Sequence, residues 1–331
     1  MKPLTAGKWI GWNALLAALA LATAAAASLV GEQSLPILSN WSGWTPEQKS
    51  IFWVSRLPRV LLAAVTGMAL GASGTAFQGL LRNSLADPYI LGVSSGAALG
   101  SIVGFALGLP FASIPLLAFF TSLSAMLLVY RIAMRGRQIA PHTLLLTGVI
   151  LNAFLFAFIL ILNGLASFEQ SQRILFLLIG NLETETYARI GVVAAVVLAG
   201  LAALTLEGHA LNLLSAAPEA ARSLGLDPDR HRKRVFFAAS LMVGAVVPLA
   251  GLVGFIGLFV PHIARRIVGP DHRLSIPAAA WVGAVLLIVC DTLARTILVS
   301  SSFQTELPVG AVTALVGAPF FLFLLKKRGG R

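Results

Sequence analysis

Residues 59–81 read RVLLAAVTGMALGASGTAFQGLL, and this stretch decides the fold. Between Arg59 and Arg82 no charged side chain occurs. A helix needs about 20 apolar residues to cross the ~30 Å hydrocarbon core of a bilayer. The stretch is therefore predicted to be a membrane-spanning helix.

Runs of similar length and hydropathy recur along the whole chain. They cover about residues 9–30, 59–81, 89–108, 112–132, 142–163, 188–206, 231–250, 252–267, 276–298 and 308–325. Strands of a membrane barrel alternate polar and apolar residues over only about 10 positions, so these runs favour helices. We predict an all-α integral membrane protein with about ten transmembrane helices in a single domain, 1–331. A further apolar piece, Ile174–Gly180, is too short to cross and is predicted to be an interfacial or re-entrant helix on the outer side.

The composition agrees with a membrane protein. Of 331 residues, 57% are hydrophobic and only 11% are charged, whereas soluble proteins carry roughly 25% charged residues. A soluble enzyme, a disordered chain and a nucleic-acid-binding domain are therefore excluded. Cys290, the single cysteine, allows no intrachain disulfide.

Lysine and arginine predict the orientation, because cytoplasmic loops carry an excess of both. With a cytoplasmic N-terminus and ten spans, eighteen of the 24 Lys and Arg residues lie on the cytoplasmic side. The six on the outer side are Lys49, Arg56, Arg59, Arg173, Arg189 and Arg295. Both termini are therefore predicted to be cytoplasmic.

Glycines recur every four residues in the third run, at Gly92, Gly96, Gly100, Gly104 and Gly108, and Gly67 and Gly71 repeat the spacing in the second. This spacing places them on one helix face, where a second helix can approach closely. The pattern predicts tight helix packing rather than ligand contact.

Motifs that would indicate catalysis or metal binding are weak in this sequence. The segment 92–96 matches G-x-S-x-G and Ser73 lies in GASG, but a serine nucleophile needs a base within reach. The five histidines fall near predicted cytoplasmic helix ends, without metal-ligand spacing. No catalytic or metal-binding residue is predicted, and an intramembrane hydrolase stays an open alternative.

The energy source is expected to lie outside this chain. No G-x-x-x-x-G-K-[ST] phosphate loop occurs, so a pump of this kind would use ATP bound by another subunit. An ion-coupled secondary transporter, the main alternative, places acidic residues deep in its helices. Only Asp291 qualifies, and it is spaced to pair with Arg295 on the same helix.

Two polar regions are candidate contacts for partners. Arg56, Arg59 and Arg295 lie at outer helix ends, where they would either hold an acidic docking partner or anchor the helices by snorkelling. The predicted cytoplasmic loop 207–233 contains helix formers from Ser215 and a stop at Gly225. Such a helix would either occupy a groove in a partner or be a solvated loop helix.

Long motifs give the chain a resemblance to a known family. They are RLPR (56–59), GASG (71–74), Gln78, NSLADP (83–88), LGVSSGA (91–97), GFIGL (254–258), PHIAR (261–265), DHR (271–273), Asp291, Ala294-Arg295 and ELPVG (306–310). In this order they resemble the FecCD family, the membrane subunits of type II ABC importers for iron-siderophores, haem and vitamin B12. The likeness runs from about residue 30 to the C-terminus.

The resemblance implies a ten-helix permease of the bacterial cytoplasmic (inner) membrane that forms a homodimer around its substrate path. It also implies two cytoplasmic ATP-binding subunits, which bind the ATP and Mg²⁺, and an outer substrate-binding protein. This chain itself would carry no cofactor and would perform no bond chemistry.

Site residues follow from the same resemblance. Arg56, Arg59 and Arg295 would receive acidic side chains of the binding protein. The cytoplasmic gate would be formed by Asn83, Leu85, His142 and Thr143. The coupling helix within 207–233 would include Glu219, Ala220, Arg222, Leu224 and Gly225. Polar groups for the translocation path are expected from Gln78, Ser94, Ser95 and Asn152. Short motifs point to different cargoes, so the sequence does not name the chelate.

Overall fold

The computed structural model of the chain describes residues 5–31, 43–110, 113–135, 138–139, 141–216, 221, 225–297 and 306–329. Helices α1 to α13 within these ranges are Ala6–Leu29, Pro46–Ser50, Leu57–Leu81, Val93–Ala106, Ile114–Ala133, Pro141–Leu165, Phe168–Ile179, Tyr187–Leu206, Gly208–Ala216, Pro228–Ala250, Ile256–Val268, His272–Thr296 and Val309–Gly329. A π-helix, Ile51–Arg56, joins α2 to α3, and a 3-10 helix, Pro88–Leu91, precedes α4. Two short antiparallel strands, Met134–Arg135 and Gln138–Ile139, separate α5 from α6.

Each of the ten predicted apolar runs contains a helix, which confirms the all-α membrane class. In the described part of the chain, seven helices are long and apolar enough to cross a membrane, counting Pro46–Leu81 as one. Helix α4, helix α11 and the apolar part of α13, Val309–Phe321, are shorter.

Helix α7 confirms the prediction of a short helix near residue 174. It spans 12 residues, too few to cross a bilayer. Ser167 caps it, accepting from the backbone N–H of Gln170, whose side chain accepts from the Ser167 N–H in return. The polar residues Gln170 and Gln172 therefore belong to the helix rather than to the loop before it.

Helices α3 and α12 form the centre of the bundle and meet at glycines. A Cβ on Gly67 would overlap the carbonyl oxygen of Gly283, and a Cβ on Gly283 would overlap that of Gly67. One turn further, a Cβ on Gly71 would overlap the Ala279 carbonyl. The predicted role of Gly67 and Gly71 in helix packing is confirmed.

The glycine series around α4 divides into two roles. Gly96, Gly100 and Gly104 face α5, where an added Cβ would come too close to the side chain or backbone of that helix. Gly92 and Gly108 instead flank α4 with positive φ, 82° and 63°. Glycine adopts this left-handed conformation at little cost, so the two outer members of the series shape the ends of the helix.

Helices on the outside of the bundle expose apolar side chains. Examples are Leu21 on α1, Ile161 on α6 and Val192 on α8. Large contiguous apolar surfaces are unusual on soluble monomers. In a membrane protein, the helices that border lipid require such apolar surfaces.

The predicted loop 207–233 is more helical than expected. Helix α9 was not predicted as a separate element, and α10 begins at Pro228, within the predicted loop. The predicted coupling residues Glu219, Ala220, Arg222 and Leu224 lie outside the described residues. Gly225 has a φ of +80°, and the N–H of Leu226 donates to the Ala221 carbonyl at 3.1 Å. A bond of this spacing across a glycine with positive φ is typical of a helix stop, while the helix predicted before Gly225 falls mostly outside the described residues and stays a prediction.

Candidate docking and gating sites

A buried ion-pair cluster lies where α3, α12 and the start of α13 meet. Arg59 Nε donates to Asp291 Oδ1 at 2.9 Å, and Arg295 Nε donates to Asp291 Oδ2 at 3.0 Å. The Arg59 Nη1 group donates to Glu306 at 2.5 Å. Asp291 is fully buried, so one carboxylate binds two guanidinium groups away from water.

The sequence predicted only part of this cluster. The pair of Asp291 with Arg295 is confirmed, because a spacing of four residues brings both to one helix face. The bonds of Arg59 to Asp291 and Glu306 were missed, since they join residues 232 and 247 positions apart. No local pattern signals such a pairing.

Guanidinium groups also bind the end of α1. Arg56 Nη1 donates to the Leu29 carbonyl at 3.0 Å. Arg295 lies 3.5 Å from the carbonyls of Ala27 and Val30. The last carbonyls of a helix lack partners within the helix and carry a partial negative charge. The arginines therefore satisfy the C-terminus of α1 as well as the Asp291 carboxylate.

A cavity of about 220 Å³ lies over the cluster, lined by Gly31, Ile51, Ser55, Arg56, Arg59, Arg295 and Glu306. The cavity and the cluster beneath it combine three guanidinium groups with two carboxylates. Arg59 Nη2 is buried and has no hydrogen-bond partner among the described residues. Counting the described residues alone, the site thus has an excess positive charge and an unused donor on Arg59, which an added carboxylate would satisfy. Docking at Arg56, Arg59 and Arg295 stays a prediction.

The predicted gate residues Asn83 and Leu85 lie in the turn after α3. The helix ends at Arg82, which has a φ of +50°. Asn83 N–H donates to the Gln78 carbonyl at 3.2 Å, and the Asn83 side chain accepts from Leu85 N–H at 2.9 Å. These bonds hold the turn in a fixed shape that leaves the Leu85 side chain 46% exposed.

Three predicted path residues form one network around the 3-10 helix. Ser95 Oγ donates to the Asn152 side chain at 2.5 Å, and Asn152 Nδ2 donates to the carbonyls of Tyr89 and Ile90. Ser94 Oγ donates to the same Tyr89 carbonyl. The network satisfies carbonyls at a break between two helices, which would be costly to leave unpaired in a membrane.

The fourth predicted path residue, Gln78, is bonded elsewhere. Its Nε2 donates to the Leu258 carbonyl at 3.0 Å and its Oε1 accepts from Arg265 at 2.6 Å. Both bonds join α3 to α11. The assignment of these four residues to a translocation path stays a prediction.

The second predicted gate pair, His142 and Thr143, lies at the start of α6. This helix packs against the 3-10 helix at Gly148, where a Cβ would overlap the Ile90 carbonyl. His142 is exposed and Thr143 half-buried. Among the described residues no hydrogen bond joins this pair to Asn83 or Leu85.

Asp87, beside the gate turn, gives the site a pH dependence. Burial raises the pKa of its carboxyl to about 6, against a hydrogen bond from the Tyr89 N–H that favours the ionised form. The folded chain therefore holds the proton more tightly than the unfolded chain, whose pKa is about 4. The resulting stability is present below that pKa and is lost as the pH rises through 6.

Asp87→Asn is expected to remove this loss, because the amide side chain does not titrate in this range, and asparagine can still cap the 3-10 helix. The Tm of the variant relative to wild type is expected to rise by about 2–4 °C between pH 4 and pH 7.5. Thermal unfolding in detergent at a series of pH values measures it, with Asp227→Asn, at the N-cap of α10, as the control. If the difference in Tm between Asp87→Asn and wild type stays constant with pH, the assignment to Asp87 is contradicted.

Glu207 forms a second ion-pair site, which the sequence did not predict. It is buried between α8 and α9, within 2.5 Å of His231 Nδ1 and 3.1 Å of Arg234 Nη1. Both partners lie in the first turns of α10. The site fixes the start of α9 to the end of the bundle that is predicted to be cytoplasmic.

Asp271, at the N-cap of α12, joins the same end of the bundle. It accepts from Arg273 and from Asn212 of α9. Burial opposes its ionisation, but these hydrogen bonds outweigh burial and lower its pKa to about 2. The carboxylate is therefore ionised at neutral pH and helps fix α9 to α12.

Comparisons with known proteins agree with this architecture. The family model described as the FecCD transport family matches residues 14–327. The hemin transport system permease protein HmuU of Yersinia pestis is 37% identical over 308 residues, 90% of each chain. The cobalamin import system permease protein BtuC of Halobacterium salinarum is 39% identical over 277 residues, 82% of this chain and 72% of that protein.

A solved structure gives the same result at the level of the fold. It shows an inward-facing conformation of a metal-chelate type ABC transporter and superposes with a TM-score of 0.86. The two chains are 29% identical, and the match covers 95% of this chain and 98% of the other. Family model, relatives and fold agree over nearly the full length. The chain is a multi-span membrane permease and belongs to the FecCD transport family.

Proposed function

We propose that this chain is the membrane subunit of an ATP-driven importer for a metal chelate, such as an iron-siderophore, haem or vitamin B12. Two copies would form the transport path and alternate between outward and inward access. Relatives that carry haem and cobalamin in their names support the cargo class. The location would be the bacterial cytoplasmic membrane, with both termini in the cytoplasm.

The arginine-lined cavity is the observation that carries the proposal. It lies at the end of the bundle predicted to be outer, and Arg59 presents there a donor that has no partner in the described part of the chain. A soluble binding protein that inserts a carboxylate would accept a hydrogen bond from this donor and neutralise the excess positive charge. The same groups hold α1, α3, α12 and α13 together, so docking would act on four helices at once.

The opposite end would contact two ATP-binding subunits. These partners would bind the ATP and Mg²⁺, and this chain would supply the helix that ends at Gly225. Coupling requires that each access state contact nucleotide and cargo differently. The gate at Asn83, Leu85, His142 and Thr143 would open only in the inward-facing state.

The alternative of an ion-coupled secondary transporter is disfavoured by Asp291. A carrier needs an acidic group that is free to bind and release its ion. Asp291 instead binds two guanidinium groups. Transport that persists without ATP and stops when the proton gradient is removed would nevertheless establish the carrier.

Co-purification with the candidate ATP-binding subunit tests the proposal. The complex is expected to hydrolyse ATP and to accumulate chelate in proteoliposomes when the binding protein is present. Gly225→Pro is expected to abolish coupling, because proline cannot adopt the positive φ of residue 225. A folded dimer that binds no ATP-binding subunit would overturn the proposal.

Charge reversal at the cavity tests docking separately. Arg56→Glu is expected to weaken binding of the substrate-binding protein by about 10- to 100-fold, because a buried carboxylate partner would lose its cation. Titration of the labelled binding protein against the reconstituted transporter measures the affinity. The matched control is Arg173→Glu, which makes the same charge change at an exposed site away from the cavity. Equal effects of the two changes would contradict a specific site.

A further inference from the structure

Helix α9 is built into the bundle rather than solvated. Ala210, Leu211 and Leu214 are buried. A Cβ on Gly208 would lie 2.9 Å from the Arg273 backbone, so the start of α9 touches α12 directly. The chain continues from α9 into the segment that ends at Gly225, so displacement of that segment acts on α9 through the backbone.

Asn212 is the polar link between α9 and α12. Its Nδ2 donates to Asp271 Oδ1 at 2.7 Å, and its Oδ1 accepts from the His272 backbone N–H at 2.9 Å. A carboxylate only accepts and a backbone N–H only donates, so these two bonds fix the orientation of the amide. The same Oδ1 lies 2.7 Å from His272 Nδ1, which must therefore carry the proton and donate it.

The other edge of the His272 ring faces the end of α3. A Cβ on Gly79 would lie only 2.6 Å from His272 Nε2 and 3.1 Å from the Leu211 side chain. The His272 ring therefore packs directly against Gly79, and a larger residue at position 79 would displace the ring. His272 is 7% exposed, so the ring is enclosed between α9 and α3.

The end of α3 leads directly to the gate turn. Asn83 N–H donates to the carbonyl of Gln78, the residue before Gly79. From the other side, His262 Nε2 lies 3.3 Å from the Ser84 carbonyl. A cavity of about 230 Å³ lies beside the ring and is lined by residues that include Ser84, Asn212 and His272.

We propose that His272, oriented by Asn212, is the positioning residue that transmits movement of α9 to the gate turn at Asn83 and Leu85. The proposal rests on the proposed function, since it assumes that a partner moves the segment after α9. It adds a defined route: Asn212, the His272 ring, Gly79 and the end of α3. Each link is a contact between packed groups, and transmission through it requires two discrete arrangements of the route, which the labelling experiment tests.

Labelling of the gate in the full complex tests this route. Leu85→Cys provides an exposed thiol, whereas the native Cys290 is buried. In the parent complex, ATP with vanadate is expected to change its labelling rate by a water-soluble maleimide about fivefold or more. Asn212→Ala, which frees the ring, and Gly79→Ala, which displaces it, are each expected to reduce that change to less than about twofold.

Controls separate transmission from stability. Basal ATP hydrolysis should stay at the parent level in both variants, and combining them should add no further loss, because they interrupt one route. Thr205→Ala, whose hydroxyl bonds only within α8 among the described residues, is expected to behave as the parent. Full nucleotide dependence in Asn212→Ala, or its loss in Thr205→Ala, would overturn the inference.

The two proposals fail in different ways. If the parent complex binds and hydrolyses ATP but Leu85→Cys labelling does not respond, the route to the gate is wrong and the importer assignment stands. If no ATP-binding subunit associates, both are wrong.

Discussion

Asp291→Asn is expected to lower the free energy of unfolding by about 3–5 kcal/mol, because it leaves buried charge uncompensated. The new amide can accept from one guanidinium group, but its NH₂ would face the other, donor against donor. Arg59 keeps Glu306 as a partner, whereas Arg295 keeps only neutral acceptors among the described residues. Thermal unfolding of the purified chain in detergent measures the loss.

Two comparisons show whether charge is the cause. Glu306→Gln removes a carboxylate whose side chain is 55% exposed, and is expected to cost at most about 1 kcal/mol. Replacing the whole buried set, Arg59→Met with Asp291→Leu and Arg295→Met, is expected to recover most of the loss. If the triple variant is less stable than Asp291→Asn, the three side chains stabilise the fold by contacts other than the compensation of their charges.

Gly67→Ala is expected to destabilise the chain by about 3 kcal/mol, at the upper end of overpacking effects. The added methyl group would overlap the Gly283 carbonyl, and backbone atoms cannot move aside as a side chain can. Helices α3 and α12 would have to separate along their length. Unfolding in detergent and the yield of monodisperse protein both report the change.

The matched control for Gly67→Ala is Gly11→Ala on α1. An added Cβ there meets no atom within 4 Å. Its effect is expected to stay within about 0.5 kcal/mol, because surface changes without contacts are nearly neutral. If Gly67→Ala and Gly11→Ala lower the free energy of unfolding equally, the loss comes from replacing a helical glycine and not from the crossing of α3 and α12.

The sequence predicted the helices well because membrane spans are long and nearly free of charge. Each apolar run contains a helix, and the four-residue glycine spacing in α4 indicated the face that packs on α5. Such signals are local: the period of the helix and the width of the bilayer can be read from neighbouring residues. The prediction of a Gly225 stop rests on equally local chemistry.

The site was predicted less completely because its contacts join distant parts of the chain. Arg59, Asp291 and Arg295 were each singled out, yet the bonds from Arg59 to Asp291 and Glu306 were not. Glu207 was missed altogether, since its partners on α10 lie 24 and 27 residues away. Periodicity describes which face of a helix is buried, and only the tertiary structure shows what it is buried against.

The arginine contacts at the end of α1 also set an order of events during synthesis. Helix α1 emerges from the ribosome first, but the groups that bind its last carbonyls come from Arg56 and, much later, Arg295. Until α12 has been made, Arg59 has no Asp291 to bind. The end of the bundle predicted to be outer therefore cannot be completed before residues 291 and 295 have been made, and a chain truncated before residue 291 should leave α1 and α3 loosely associated in the bilayer.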